Sequence, residues 1–501
     1  MMRLSTPFLG LLLTIALAIG VAGSASASST MQIGISDDGV TQRTPDLAPT
    51  VIPQWASTGV DVARVLAIWN YVAPQPAASS QPSGFDPADP NDPQYDWGVL
   101  DQTVNLLVAN GIKPVISVTG PGPVWGSSVP SQRNGRYKPD PKKFAQFATA
   151  VATRYGDHVD TYILWNEPNL PLWLQPQFNC VGRTCTPASP AIYRNLLKAT
   201  RPAIQAADPG AKLLAGALAP TGSSATARNA QMRPLQWLRS LGCVDAKLRK
   251  DRKSSSCKGF TPAAADGIAY HPHNRLASPT TKYPNADDAG IADIPKLLKT
   301  IDGIQKAGGL KNGTSSTKKF DLDFTEFGYQ TNPPDPYLGV PAAQQNAWLQ
   351  QSDYLAWKQP RVKMLIQYLW RDDPVGSKGQ GAKAYSGWQS GLYYYDGRAK
   401  PARAAFPNPF WVDLPKGRRT STVWGQVRPG GAAQVTVQRK LAGKRSYTTV
   451  KTLTTNAQGF FSFTTTVNGK ASFRYSYKQV DPLTGASKTI TTSSQTVAPT
   501  K

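Results

Sequence analysis

The sequence contains few of the residues that build metal and nucleotide sites. Its 501 residues include three histidines and four cysteines, and no two cysteines form a Cys-x-x-Cys pair. Zinc sites usually draw on closely spaced cysteine and histidine ligands, and the glycines of the loops form no phosphate-binding motif. The sequence therefore predicts neither a metal site nor any other cofactor.

Long hydrophobic runs are also scarce, and the one present lies at residues 8–22. It is shorter than the roughly 20 residues needed to span a bilayer. The cationic start Met1-Met2-Arg3 precedes it, and the small residues Ala25-Ser26-Ala27 follow it. This order is typical of a secretory signal peptide. We therefore expect residues 1–27 to be removed, and the mature protein to be secreted without a membrane span.

Acidic residues are outnumbered, with 31 against 55 lysines and arginines, which gives a net charge of +24. Residues 411–501 hold 14 basic and two acidic residues. A basic surface attracts polyanions, so anionic polymers of the cell wall or the extracellular space are expected partners. General solubility and wall adhesion would explain the same composition. No recognition helix or zinc-finger pattern accompanies the charge, and specific nucleic-acid binding is not expected.

The even number of cysteines predicts two disulfides, because an exported protein folds in an oxidising compartment. Four cysteines allow three pairings. We favour Cys180–Cys185 and Cys243–Cys257, since each pair lies within one loop rich in glycine, proline and serine.

Strand-like and helix-like segments alternate eight times between residues 28 and 410. Strands are predicted at 31–36, 62–69, 113–119, 159–166, 212–217, 266–271, 320–326 and 362–370. Helices are predicted at 47–57, 97–110, 140–155, 191–207, 230–241, 293–307, 342–357 and 401–406. Eight such units predict an α/β fold in which a parallel sheet closes into a (β/α)8 TIM barrel.

Beyond residue 410 the pattern changes to short strands separated by glycine-containing turns. Strand-length segments lie at 435–440, 447–451, 460–467 and 472–478. This spacing predicts a small all-β sandwich over residues 411–501. It resembles the immunoglobulin-like modules of many secreted bacterial enzymes, which are more often spacers or supports than specific binders.

The ends of the predicted strands carry the residues with useful chemistry, because active sites of such barrels lie at the C-terminal ends of the strands. The candidate residues there are Arg64, Trp69, Trp125, Asn166, Glu167, His271, His273, Glu326, Tyr329, Trp370 and Asp372. Glu167 and Glu326 end strands four and seven, on opposite sides of an eight-stranded barrel. Two carboxyl groups set among aromatic side chains are what glycoside hydrolysis requires.

Two motifs resemble those of a known group of enzymes. The segment Ile163-Leu164-Trp165-Asn166-Glu167-Pro168-Asn169, paired with Thr325-Glu326-Phe327-Gly328, resembles the glycoside hydrolases of clan A. Family 39 is the closest match and family 5 the second. The resemblance covers about residues 31–409. It implies a retaining O-glycosidase that acts on an extracellular poly- or oligosaccharide.

The resemblance also implies a role for each matching residue. Glu167 would be the acid/base, Glu326 the nucleophile, and Asn166 the ligand of the sugar 2-hydroxyl. Arg64 would keep Glu326 ionised through its charge and hydrogen bonds. Trp370 matches the tryptophan that forms the floor of the subsite next to the scissile bond.

The sequence departs from the family at strand six, where His271-Pro272-His273 replaces the usual His-Pro-Tyr. Either histidine could contact Glu326, so both are candidates to support the nucleophile. Three tryptophans could stack on sugar rings, although each alone could equally belong to the core: Trp69, Trp125 and Trp173. Tyr329 lies near the site by its position, and Asp372-Asp373 could be solvated.

Two other functions remain open. A catalytically weak glycan- or wall-binding protein would keep the barrel cleft and attach through its basic β-domain. An adhesion protein would need only the basic end. The presence of both glutamates, together with Asn166 and Arg64, favours the enzyme. A monomer is the default expectation.

Overall fold

The computed structural model describes residues 27–376, 379–480 and 486–500. The predicted signal peptide falls almost wholly on residues 1–26, which lie outside the described residues. Within the described ranges no helix is both long and apolar enough to cross a membrane.

Eight parallel strands form a closed barrel, in which each strand pairs with the next and the eighth pairs with the first. The strands are β1 (Gln32–Ser36), β2 (Val62–Ile68), β3 (Lys113–Thr119), β4 (Thr161–Leu164), β5 (Lys212–Leu218), β6 (Gly267–Tyr270), β7 (Leu322–Phe327) and β8 (Val362–Tyr368). The helices that follow them are α1 (Ala48–Ser57), α2 (Gly98–Ala109), α3 (Pro141–Tyr155), α4 (Ser189–Ala207), α5 (Pro234–Leu241), α6 (Ile294–Lys306), α7 (Ala342–Trp357) and α8 (Pro401–Ala405). The predicted (β/α)8 TIM barrel is confirmed.

The barrel strands are buried along most of their length because helices cover their outer face and side chains fill the interior. All seven residues of β2 are buried. Helix α3 begins where the sequence predicts, because Asp140 accepts hydrogen bonds from the backbone N–H groups of Lys142 and Lys143 and Pro141 occupies the first helical position. Strand β8 ends at Tyr368 and not at the predicted residue 370, which moves the side chains of its last turn relative to the cleft.

Both disulfides have the predicted pairing. Cys180–Cys185 joins the two strands of a small hairpin, Phe178–Val181 and Thr184–Pro187, between β4 and α4. Cys243–Cys257 closes the loop that follows α5. Each bond therefore constrains one of the long loops above or beside the barrel.

The chain after the barrel folds into antiparallel sheets, consistent with the predicted sandwich. Its strands are β9 (Phe410–Asp413), β10 (Thr420–Gln426), β11 (Gln434–Leu441), β12 (Thr448–Thr454), β13 (Phe460–Thr466), β14 (Ala471–Val480), β15 (Ser487–Thr491) and β16 (Gln495–Val497). One sheet has the order β9-β10-β13, and the other has β12-β11-β14-β15, with β16 also on β14. Val423, Val437, Phe461, Phe473 and Tyr475 belong to a separate core between them. The immunoglobulin-like topology and a boundary at residue 411 remain predictions.

An aromatic contact joins these sheets to the barrel. Trp424 on β10 is fully buried and lies 5.9 Å from Tyr354 and 6.0 Å from Trp357, between ring centroids, on helix α7. Arg428, with a side chain that is 1% exposed, donates a 2.8 Å hydrogen bond to Asp353 of the same helix. Because α7 connects β7 to β8, the C-terminal sheets pack directly on the part of the barrel that carries Glu326.

We predict that Trp424→Ala lowers the free energy of unfolding by about 3–5 kcal/mol, because it removes a large buried side chain and leaves a cavity at this contact. Denaturant unfolding of the mature protein measures the change. The control is Leu441→Ala on β11, where the side chain is 46% exposed, and its effect should stay within about 0.5 kcal/mol. Equal stability of Trp424→Ala and the wild type would contradict the role of this contact.

Candidate active site

A cleft of about 480 Å³ opens at the C-terminal ends of the barrel strands. It lies where the active sites of such barrels are found. Its lining includes Asp38, Arg43, Tyr71, Asn166, Glu167, Leu172, Trp173, Glu326, Tyr368, Asp373, Ser386, Gly387 and Trp388. Both predicted catalytic glutamates therefore face one cavity.

The Trp-Asn-Glu-Pro-Asn segment leaves β4 through an unusual backbone turn. Trp165 has φ 66° and Glu167 has φ 38°, values in the left-handed region that cost about 1–3 kcal/mol for residues other than glycine. The buried Asn169 side chain holds the turn against β5, because it accepts a hydrogen bond from the N–H of Ala219 and donates to the carbonyls of Ala219 and Met232. The last Asn of the motif thus positions Asn166 and Glu167.

Arg64 on β2 connects the two halves of the site. Its guanidinium is buried and uses each of its nitrogens: Nε donates to Ser117 Oγ at 2.8 Å, Nη2 donates to Asn166 Oδ1 at 2.6 Å, and Nη1 donates to Glu326 Oε1. The predicted partnership of Arg64 with the strand-seven glutamate is present in this geometry. The backbone of Gly328, two residues after Glu326, packs closely against β8. A Cβ atom at this position would lie only 2.2 Å from the carbonyl oxygen of Tyr368, so a larger residue does not fit there.

His271 lies between the two glutamates. Its Nδ1 is 3.1 Å from Glu167 Oε1 and 3.5 Å from Glu326 Oε2. His273 is more distant, with its Nε2 3.8 Å from Glu326 Oε2. Of the two candidate histidines, His271 is therefore the closer partner of Glu326, and it contacts Glu167 as well.

The surroundings of the two glutamates shift their pKa values in opposite directions. Burial raises the pKa of Glu167, and the charges of His273 and Arg64 offset only part of that effect. Burial also acts to raise the pKa of Glu326, but the His271 ring and the Arg64 guanidinium outweigh it, and the net pKa is lowered. The site therefore favours a protonated Glu167 beside an ionised Glu326.

The histidines also bear on the question of a metal. Possible ligand atoms of His271, His273 and Glu326 all lie within 4.8 Å of one another, a convergence that the spacing of the sequence did not reveal. Burial lowers the pKa of His271 to about 3. The Arg64 guanidinium, however, already holds Glu326 and repels a cation. The absence of a metal remains a prediction.

Several aromatic residues predicted for the site are buried away from the cleft, and for Trp69 and Trp125 this favours the alternative that they belong to the core. Trp69 and Trp125 have no exposed surface and pack against each other, at 5.8 Å between ring centroids, within the core. Trp370 is 2% exposed and packs on Tyr393 and under Arg403. These side chains cannot stack on a ligand, because the core already covers their faces.

Two polar predictions at the rim also need correction. The Tyr329 ring is buried, and its hydroxyl donates to the carbonyl of Ala277, so it does not line the cleft. Asp372 is not solvated: its carboxylate is buried and accepts a 2.7 Å hydrogen bond from the equally buried Lys400. Trp173 does line the cleft.

Other residues of the cleft were missed by sequence reasoning. Trp388 lines it and packs on His273 at 4.6 Å between ring centroids. Tyr368 lines it at the end of β8, directly before a cis peptide bond to Leu369. The resemblance of the motifs to clan A had implied Trp370 for this place. Asp38 and Asp373 add two further carboxylates. Asp38 lies two residues after one predicted strand, and Tyr368 lies two residues before the end of another, a signal that could have been used.

One compositional signal was also overlooked. Glu167 and Glu326 are the only glutamates in the 501 residues, and every other acidic side chain is an aspartate. The two glutamates therefore occur only where the barrel brings them to one cleft.

Comparisons with known proteins yield similarity of fold only. No protein-family model and no curated protein sequence matches the chain. Similar solved structures include a glucosidase from Croceicoccus marinus, 11% identical, with 88% of this chain and 94% of that chain covered and a TM-score of 0.48. They also include GH5_18 from Streptomyces cattleya in complex with GlcNAc, 12% identical over 75% of this chain and 78% of that one, with a TM-score of 0.45. A psychrophilic glycoside hydrolase family 10 endo-β-1,4-xylanase is 14% identical, with coverages of 75% and 96% and a TM-score of 0.40. At these identities and scores, nothing about the reaction follows from the similarity.

The presence of only two glutamates allows a direct test of their pKa values. With glutamate labelled at the δ-carboxyl carbon by ¹³C, in protein made by cell-free synthesis, we expect two carboxyl resonances. One should titrate above the ordinary glutamate pKa (Glu167) and one below it (Glu326), for the reasons of burial and charge given above. Glu167→Gln and Glu326→Gln each leave one resonance and assign the pair. Two carboxyls that titrate together near the ordinary value would contradict the electrostatics of this site.

Proposed function

We propose that the protein is a secreted retaining glycoside hydrolase of clan A, with motifs that resemble those of family 39, and that it cleaves O-glycosidic bonds of an extracellular poly- or oligosaccharide. The observation that carries the proposal is the pair of glutamates in one cleft with pKa values shifted apart. An acid that is still protonated at neutral pH and a carboxylate that stays ionised are the two groups that the reaction uses.

In the proposed reaction Glu326 attacks the anomeric carbon while Glu167 protonates the departing glycosidic oxygen. The aglycone leaves, and the sugar remains as an ester of Glu326. Glu167, now ionised, then removes a proton from a water molecule, which attacks the same carbon and releases the sugar with its original configuration. Arg64 stabilises Glu326 as the leaving carboxylate, and it fixes Asn166 by the same guanidinium.

The gap between the carboxyls supports retention over inversion. A single atom, His271 Nδ1, contacts oxygens of both glutamates at 3.1 and 3.5 Å. These two oxygens cannot lie farther apart than the two contacts end to end. The largest possible distance between these oxygens is therefore close to the shortest separation in inverting enzymes, which use roughly 6.5–9.5 Å. Retaining enzymes need only about 5–5.5 Å.

Secretion is part of the proposal. The signal-like sequence of residues 1–27 supports it, and so do the two disulfides, because such bonds persist in oxidising compartments. The main alternative is a catalytically weak glycan- or wall-binding protein. The complete set of contacts around Arg64, Asn166 and Glu326 favours the enzyme.

The test is product release from a broad panel of poly- and oligosaccharides by the mature protein, with the anomeric configuration of the products followed by NMR. We expect products of retained configuration, and a loss of about 10⁴-fold in kcat for Glu326→Gln. Glu167→Gln should lose activity on natural linkages but still release a burst of dinitrophenol from dinitrophenyl glycosides, because that leaving group needs no proton, whereas the second step still lacks its base. Azide should restore turnover of Glu167→Gln as a glycosyl azide.

Since the chain has no third glutamate, the matched control is Asp46→Asn, an exposed carboxylate, which should leave activity unchanged. Activity should also persist in EDTA. Loss in EDTA would implicate a metal on His271, His273 and Glu326. Retention of a glycan by wild type and Glu326→Gln alike, with no cleavage, would support the binding-protein alternative.

We further propose that the basic C-terminal sheets bind an anionic polymer of the wall or extracellular space. Arg474 on β14 and Lys440 on β11 lie over the Tyr447 ring, at 3.9 and 5.1 Å from its centroid, and Lys444 and Arg445 are exposed in the adjacent turn. Asp413, the single acidic residue in the described part of these sheets, is paired with Tyr354 of α7 and with Lys358, which directly follows that helix. Little negative charge therefore opposes this basic surface.

We expect the mature protein to bind dextran sulfate but not uncharged dextran, with an affinity that falls as salt rises, because the attraction is screened. Lys444→Glu combined with Arg445→Glu should weaken binding about tenfold or more. The matched control, Lys299→Glu with Lys306→Glu, changes two exposed lysines of α6 and the same total charge. If both pairs weaken binding equally, net charge and not this surface would account for it.

A further inference from the structure

We propose that the side of the cleft next to Glu326 is a subsite for an uncharged sugar, and that Asp38 determines this specificity by accepting hydrogen bonds from its hydroxyl groups. The inference rests on the proposed hydrolase function and adds the class of sugar that is bound on the nucleophile's side. It is carried by the contacts of Asp38, Arg43, Asp373 and Trp388.

Asp38 is placed by the barrel at this side of the cleft. It follows β1 by two residues and lines the cavity with Glu326 and Asn166. Its Oδ1 is buried, and it makes no hydrogen bond within the described residues. An acceptor buried without a partner costs about 1–3 kcal/mol, and in a ligand cleft that cost is recovered when a ligand hydroxyl donates to it.

The neighbouring aspartate differs in this respect, because Asp37 is used by the fold. Its Oδ2 accepts hydrogen bonds from the backbone N–H groups of Trp370 and Arg371, and its Oδ1 accepts one from Val40. Asp37 thereby ties the end of β1 to the end of β8. Of the two adjacent carboxylates, Asp38 is the one left for a ligand.

The two guanidinium groups that border this part of the cleft are already engaged by protein groups. Arg64 donates to Ser117, Asn166 and Glu326, and Arg43 is paired with Asp373. A sugar carboxylate here would face the carboxylates of Glu326 and Asp38, and both guanidinium groups already have a carboxylate partner. The chain as a whole has a net charge of +24, but this part of the cleft has no cation without a carboxylate partner among its two guanidinium groups. The cleft therefore disfavours acidic sugars.

An aromatic wall completes the subsite. Trp388 lines the cavity and packs on the ring of His273, with 4.6 Å between ring centroids. Its backbone N–H donates a 2.9 Å hydrogen bond to Asp373. Tyr368 lies 5.5 Å from Trp388 between ring centroids. Aromatic faces suit the apolar faces of a pyranose, while carboxylates suit its hydroxyl edges. Burial raises the pKa of Asp38 to about 6, with Arg64 opposing the shift, so its carboxylate is ionised at neutral pH and is a strong acceptor.

The experiment compares wild type with Asp38→Asn on 4-methylumbelliferyl glycosides of both anomers, in matched neutral and acidic pairs: glucoside with glucuronide, and galactoside with galacturonide. We expect the wild type to prefer a neutral member of a pair by at least tenfold. Asp38→Asn should lose about 10- to 100-fold in kcat/KM on that substrate. Its neutral-to-acidic ratio should fall by at least tenfold, because the repelling charge is gone. That ratio does not depend on how much of the variant is folded.

Thermal unfolding separates specificity from folding. Asp38→Asn should melt no lower than the wild type, because it removes a buried charge without a hydrogen-bond partner, and Asp46→Asn should match the wild type in every assay. A wild type that prefers the uronides, or an Asp38→Asn variant with unchanged activity and ratio, would overturn the subsite while leaving the hydrolase intact. A wild type that hydrolyses none of these glycosides, and no polysaccharide of the earlier panel, would overturn both.

Discussion

The geometry of the cleft depends on the buried guanidinium of Arg64. A charge in the interior must be neutralised and hydrogen-bonded, and Arg64 meets both needs with Glu326, Asn166 and Ser117. These partners come from β7, from the turn after β4 and from β3. One side chain therefore fixes the relative positions of three strand ends. It also explains why the two glutamates differ: the cation lies against Glu326, while burial dominates the surroundings of Glu167.

Much of the barrel could be read from the sequence, because parallel strands buried on both faces are continuous apolar runs and helices end at recognisable caps. The two glutamates were found by the same logic, since each ends a strand in a specific motif. The aromatic residues were harder. Trp69 lies at a strand end as a sugar-binding residue would, yet Trp125, Phe144 and Phe147 enclose it, and no local pattern distinguishes a core tryptophan from an exposed one.

The errors around β8 have a single physical cause. The apolar run continues through Trp370, but the strand ends at Tyr368. A change in where the strand ends exchanges which side chains face the cleft. Trp388, in contrast, lies in an irregular segment after β8, and its position depends on Asp373 and His273, contacts that span many residues and leave no mark in the local sequence.

The restriction of glutamate to two positions has a consequence for how the chain can change. At every other acidic position an aspartate supplies the negative charge, whether on the surface or in an ion pair, so the longer side chain of glutamate is not needed there. At 167 and 326 the extra methylene sets how far each carboxyl reaches toward His271 from its own strand. The shortest separations used by retaining and by inverting enzymes, about 5 and 6.5 Å, differ by roughly one carbon–carbon bond length. Replacing either glutamate by the acid used everywhere else would therefore widen the gap by an amount comparable to the difference between the two stereochemical outcomes.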